Sequence, residues 1–429
     1  MSGAAAAPRQ LGVWTASALV VGNIIGAGIF MLPREMARFG WTAVAAWLLA
    51  IAGALCMAWV FAQLAAHLPE AGGVHGVMTR GVGPRAAFVG SWGYLISIFA
   101  ANATLAISGV EYLSRLLPAT SPTIRLSIAL AALGAVLVAN LRGRGGDVQV
   151  VSTVVKLLPL IAVIGLTFAL VGRDGTAAVT LAEPAPVSGV LLLPAMSLIL
   201  YAMLGVESVA VPAEAIADAQ RVVPKTTMYG TALTGVVGIL ATCGVTFLLP
   251  GVGRSDAPLA AFVARGFGGW AGDAVALCAV VSCFGALNGF VLIGGELTAS
   301  MASQGILPRR FALRNAFGAP TLPHLVGGAV TAVLIVAAFT ARSAFAFAAL
   351  ITTATNISLY LLCLAAAVRF LREGRLPRSL SLMGATLGGA IFSLLALYGA
   401  GAEALVWGAV LIAAGWPLYQ LARRATLQG

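Results

Sequence analysis

Three stretches of this chain hold residues whose types and spacing can do chemistry: "GNIIGAGIFMLP" at 22–33, "LYAMLGVESVAVPAEA" at 200–215 and "VVSTVVKLLPLIAVIG" at 150–165. The first carries Gly22, Gly26 and Gly28 within seven residues and then Pro33. Glycine loosens a helix, and the amides and carbonyls of an unwound turn cannot be left facing lipid. Unwound near the midplane, such a segment offers amide donors and the positive end of the following half-helix to an anion, while its freed carbonyls suit a cation. That pairing fits the zwitterionic head of an amino acid. The competing reading is a close helix-packing face, since Gly22 and Gly26 form a GxxxG. Packing accounts for two glycines and leaves Gly28 and the polar Asn23 aside, and on these residues alone both readings stand.

The second stretch puts Gly205 and Glu207 at mid-depth of an apolar run with Pro212 beyond. A carboxylate there costs on the order of 2.5 to 3.5 kcal/mol on insertion scales, so Glu207 must face a partner or an aqueous cavity. Its structural alternative is a hydrogen bond that pins the unwound turn. Lys156, in the third stretch, must be neutral, paired or aimed at a cavity, or else snorkel from a nearby helix end. Glu296 lies nearer a helix end and is expected to contact loop cations.

The remaining reactive types carry no recognisable site. Cys56, Cys243, Cys278, Cys283 and Cys363 fall in apolar runs without metal or redox spacing, and His67, His75 and His324 stand near loop ends. With no nucleophile elbow, phosphate loop or ring of pore charges, neither an enzyme, a cofactor, a metal nor a channel is expected.

The elements that must position these residues follow from composition. Of 429 residues 60% are hydrophobic and 9% charged, with a mean hydropathy of +1.00, which marks an integral membrane protein. About 20 apolar residues span the hydrocarbon as a helix. Twelve such runs are expected, at 11–32, 41–66, 85–113, 124–141, 149–171, 187–213, 226–249, 271–303, 323–341, 343–368, 379–399 and 402–422. Barrel strands would alternate apolar and polar residues, and these runs do not; the expected fold is an all-α bundle.

Cations set the orientation, because basic loops are retained in the cytoplasm. With the N-terminus inside, sixteen of the 25 Lys and Arg fall on the cytoplasmic side, eight opposite, and Lys156 within a span. Both termini are therefore expected in the cytoplasm of a plasma-membrane protein, with tails at 1–10 and 423–429. The N-terminal "MSGAAAAPRQ" reads as such a tail and not as a signal peptide. The net charge of +11 is dispersed over short loops and needs no nucleic acid.

Spans one and six, both interrupted, are five helices apart. That relation is expected if 11–171 and 187–368 are inverted repeats whose broken first helices meet at the substrate, with 379–422 appended. No letter-by-letter repeat is evident.

"GNIIGAGIFMLP" resembles the first-helix signature of the amino acid, polyamine and organocation transporters. "LYAMLGVESVAVPAEAIADAQRVVP" resembles their sixth helix and the loop after it, and "GVEYLSRLLP" and "ASQGILPRRFALRN" fit the end of helix three and the loop after helix eight. Within that family the sequence looks most like the basic amino acid and polyamine antiporters, and "ALYGAGAEALVWG" fits their putrescine/ornithine exchangers. The resemblance implies a LeuT-like fold, a homodimer, and a head group bound by the backbone of Ile24, Gly26, Ala27 and Gly28 and by the break at Gly205. It further implies that Asn102 meets the substrate side chain, that Tyr94 stands at a gate, that Tyr201 and Phe290 occlude the site, and that Glu207 serves coupling and gating.

Two departures bear on the substrate. Tyr201 and Phe290 stand where the arginine/agmatine exchangers have tryptophans, which weakens any cation–π attraction, and Ala27 lacks a hydroxyl found there. Lys156 resembles a fifth-helix lysine of neutral and cationic amino acid transporters, where the amine lies near a position that sodium occupies in sodium-driven relatives. The expectation is exchange of a cationic amino acid or its amine product by alternating access, the alternative being proton-coupled uptake of a neutral amino acid.

Overall fold

The computed structural model describes residues 26–68, 73–117, 121–143, 155–180, 186–207 and 219–427. Among these the chain is almost wholly helical, with a single isolated β-bridge between Arg314 and Pro320. Ten described helices are long and apolar enough to cross a membrane. Spans one and six appear instead as the shorter helices α1 (Ala27–Met36) and α7 (Gly189–Met203), each ending at its expected interruption. The residues across the two breaks, 1–25 and 208–218, lie outside the described residues.

The full-length helices of the first half are α2 (Thr42–His67), α4 (Pro84–Leu116), α5 (Pro122–Leu141) and α6 (Leu157–Asp174). Their counterparts in the second half are α8 (Ala219–Leu248), α10 (Gly269–Ser303), α11 (Thr321–Ala338) and α12 (Ala344–Arg372). Then come α13 (Leu380–Gly399), α14 (Gly401–Ala413) and α15 (Trp416–Leu427), the last two divided by a turn at 414–415 and together making the tenth span, where a run at 402–422 is expected. Proline at the first helical position opens α4 and α5, and the side chains of Ser121, Ser343 and Ser379 cap α5, α12 and α13.

Burial sorts the helices. The most apolar window of α4 is 94% buried and that of α5 only 17%, so α4 forms the axis of the bundle, packed along α10 and α12, while α5 is peripheral. The outward faces are apolar: Ile161, Phe168, Leu387 and Val406 are each more than 60% exposed. In a bilayer that surface faces hydrocarbon and costs nothing to leave uncovered.

Two ten-residue helices were not foreseen, α3 (Gly73–Val82) before α4 and α9 (Pro258–Phe267) before α10. Each is too short to span and leads through one glycine into a long helix. Gly83 has φ 92 and ψ 162, and Gly268 has φ 92 and ψ 169. The pairing has a trace in sequence that a search for longer similarity passes over: Arg-Gly-Val-Gly at 80–83 and Arg-Gly-Phe-Gly at 265–268. The two halves thus share the order short helix, glycine, long helix, down to one backbone conformation.

Charged groups gather at the bundle's ends as the loop assignment requires. Arg34 lies 2.9 Å from Asp256, and Arg125 lies 2.9 Å from both Asp256 and Glu111. At the other end Glu296 holds Arg314 at 2.6 Å, the loop contact expected of it.

The φ and ψ of Gly83 and Gly268 are open only to glycine, and a side chain there costs on the order of 1–3 kcal/mol. A Cβ on Gly83 would meet nothing within 4 Å, so the cost of Gly83→Ala is purely conformational. Gly83→Ala and Gly268→Ala are each expected to lower the melting temperature of the detergent-solubilised protein. Gly134→Ala, in the interior of α5 with equal room for a methyl, is expected to leave it unchanged or raise it.

Candidate binding site

The two interrupted helices meet at an interior cavity of about 90 Å³. From α1 it is lined by Gly26 and Gly28, and from α7 and the turn beyond by Tyr201, Ala202, Leu204, Gly205 and Glu207. α4 contributes Tyr94, Ser97, Ile98, Ala101 and Leu105, α10 contributes Phe290 and Ile293, and α12 contributes Thr352 and Asn356. Spacings of three and four residues put each set on one helix face.

The helix ends supply opposite polarity. Gly26, the N-cap of α1, has no side chain to satisfy the first amides; those donors and the positive end of the helix lie at the cavity. α7 closes with Leu204 extended and Gly205 at φ 109, so its last carbonyls and negative end are presented there.

Gly28 allows the approach. A Cβ at this position would lie 2.7 Å from Ala202 Cβ and 2.8 Å from Ala202 Cα, while one on Gly26 would meet nothing within 4 Å. Gly28 is thus a packing glycine between the half-helices, and Gly26 faces open space. The body of α1 is tied down: the Tyr112 hydroxyl donates to the Phe30 carbonyl at 2.9 Å and accepts the Leu259 amide at 3.3 Å. The Thr246 hydroxyl donates to the Pro33 carbonyl at 3.2 Å.

Glu207 is 3% exposed. Its carboxylate accepts the Tyr360 hydroxyl at 2.7 Å and the Gly205 amide at 3.2 Å, and Tyr94 and Asn356 also reach it. These bonds hold it in place, yet among the described residues no Lys or Arg pairs with it, and among them it is the one charged side chain lining the cavity. Asn356 donates through Nδ2 to Ser97 Oγ at 3.3 Å, and its Oδ1 has no partner. The rings of Tyr94, Tyr201 and Phe290 form the apolar part of the wall, with Tyr201 edge-on to Phe345 at 5.8 Å between centroids. The arrangement presents a carboxylate, helix-end amides and carbonyls, and ring faces to one small cavity.

The structure brings together most of the residues singled out from sequence: Gly26, Gly28, Tyr94, Tyr201, Gly205, Glu207 and Phe290. Ala27 opens α1 between the two lining glycines. Ile24 lies outside the described residues. Asn102 is 2% exposed with an unpartnered Oδ1 but is not among the lining residues. Lys156 is also buried, at the N-terminus of α6, and is not among the lining residues. Sequence reasoning passed over Thr352, Asn356 and Tyr360. Their signal was present in "TTATNISLY", where polar groups at i, i+4 and i+8 share one helix face, although Thr353, Thr355 and Ser358 lie on others.

Residues 11–418 match the amino acid permease family. The chain belongs to that family. It is 27% identical to the putrescine transporter PotE of Escherichia coli over 96% of both chains, and 29% identical to PotE of Haemophilus influenzae over the same shares. With the cadaverine/lysine antiporter of Escherichia coli it shares 29% identity over 73% of this chain and 71% of that one. The crystal structure of MhsT in complex with L-phenylalanine has a like fold, with a TM-score of 0.64 over 92% of this chain and all of that chain at 12% identity. The permease is a multi-pass membrane protein, and its family is one of transporters and not of enzymes.

Gly28→Ala is expected to push α1 and α7 apart, at an overpacking cost of about 1–3 kcal/mol, lowering the melting temperature. Gly26→Ala is expected to leave the melting temperature unchanged, its methyl entering the cavity. The reverse order in thermal denaturation would show that the half-helices meet elsewhere.

Proposed function

We propose that this permease exchanges a cationic amino acid or its amine product across the plasma membrane by alternating access. The observation that carries this reading is Glu207: a buried carboxylate at the cavity wall, fixed by hydrogen bonds and facing no protein cation among the described residues. Burying a lone ion is costly, and a substrate ammonium would neutralise it where the α7 carbonyls add their own attraction. A substrate carboxylate, where present, would lie at the open amides of α1 near Gly26, Ala27 and Gly28. An amine such as putrescine needs only the acidic half of the site, which agrees with the names of the sequence relatives.

Tyr201 and Phe290 close over the solute in this reading, Tyr94 and Glu207 couple occupancy to the gate, Asn102 contacts the side chain and Ile24 completes the α1 cradle. The two repeats, 11–171 and 187–368, rock against each other with 379–422 alongside, both termini being cytoplasmic. Lys156 bridges the first and fifth helices, so that no sodium is required. The permease works as a homodimer in the bilayer.

The test is counterflow in proteoliposomes. Uptake of labelled ornithine, arginine or putrescine is expected only with unlabelled substrate inside, and Glu207→Gln is expected to reduce it by at least tenfold with the melting temperature retained. Uptake of leucine or alanine into empty vesicles, driven by a proton gradient, would instead establish proton-coupled transport of neutral amino acids and make Lys156 the coupling residue.

A further inference from the structure

Away from the central cavity, a groove of about 580 Å³ runs between α12 and α13, open to the surroundings of the bundle. Its walls are Leu361, Leu364, Ala365 and Val368 on α12 and Leu387 and Ala390 on α13. The hydroxyl of Thr386, which also lines it, donates back to the Leu382 carbonyl at 2.7 Å, so the slot offers no polar group along its length. One end is different: there Arg372 and Arg378 form the rim.

The distance from Leu361 to Arg372 along α12 is about 16 Å at ~1.5 Å per residue. That is roughly half of a ~30 Å hydrocarbon core, the depth of one leaflet. Arg378 is held by its own bonds, Nε to the Leu371 carbonyl at 3.1 Å and Nη2 to the Arg372 carbonyl at 2.9 Å. The exposed Arg372 guanidinium has no hydrogen-bond or ion-pair partner among the described residues. The one acid of this turn, Glu373, is taken by Arg369 at 2.7 Å, and Arg375 lies over the Phe370 ring at 5.1 Å. Residues 369–378 thus hold four arginines and one acid, Glu373, which is already paired.

We propose that this groove binds an anionic phospholipid, one acyl chain lying between α12 and α13 and the phosphate resting on Arg372 and Arg378. An apolar slot one leaflet deep with uncompensated guanidinium groups at its rim matches an amphiphile of that shape and charge, and arginine is well suited to phosphate. A second copy of the chain fits less well. Residues 379–422 hold one acid, Glu403, beyond the end of α13 remote from Arg378.

The test is native mass spectrometry of the full-length protein extracted from bilayers of mixed phosphatidylglycerol and phosphatidylcholine. The wild type is expected to retain phosphatidylglycerol in preference to phosphatidylcholine. Arg372→Gln with Arg378→Gln is expected to reduce that preference by about twenty-five-fold, two arginines at roughly fivefold each. Arg378→Gln also removes a helix cap, so Ala365→Trp is the second variant. It fills the groove at an exposed position, leaves both arginines and is expected to displace the lipid equally. Equal retention of phosphatidylcholine, or unchanged retention in both variants, would overturn the proposal. So would displacement of the lipid by inorganic phosphate alone, which marks a soluble-anion site, or a disulfide between two Leu387→Cys copies that forms as lipid is lost.

Discussion

Hydrocarbon offers no hydrogen bonds, so every backbone amide and carbonyl inside the bilayer must find a partner within the protein or at a polar cavity. The permease breaks this rule at two places, ahead of α1 and after α7, and its architecture follows from how the breaks are accommodated. They are set against each other, the glycine at 28 letting α7 come within van der Waals contact of α1. The positive end of one half-helix and the negative end of the other then open on a single small cavity, where in the proposed reading a solute with separated charges completes what the backbone lacks.

The rest of the bundle keeps those ends in place. The buried helix α4 supplies one wall of the cavity and, eighteen residues beyond Tyr94, the Tyr112 hydroxyl that ties α1 at Phe30. α12 supplies Thr352 and Asn356 to the wall and Tyr360 to Glu207. The same helix turns its opposite face to the groove shared with α13, so one element joins the central cavity to the membrane surface. Glu207 belongs to the break and to the cavity together. Its bond from the Gly205 amide pins the turn, which is the structural role open to it from sequence, while its position in the wall is what the proposed functional role rests on.

Much of this was legible in the sequence because membranes simplify the code. Apolar runs of fixed length gave the helices, and the glycines, Pro33 and Glu207 stood out against them since each is costly in lipid. What was missed lacked such contrast. The short helices α3 and α9 are ten residues long, too brief for a hydropathy signal, and the repeat they mark survives as four letters. Thr352, Asn356 and Tyr360 are tolerated singly in any membrane helix, and only their common face distinguishes them. The position of Asn102 relative to the cavity depends on the rotation of α4, which tertiary packing decides and periodicity does not.

The central claim is that the cavity between α1 and α7 holds an amine against Glu207. A structure determined with ornithine present tests it most directly. The account predicts ligand density between Gly26 and Gly205, with an amino nitrogen within about 3 Å of a Glu207 carboxylate oxygen, the range of a charge-assisted hydrogen bond. Density in another part of the bundle, or a ligand in this cavity with its amine turned away from both Glu207 and the α7 carbonyls, would contradict it.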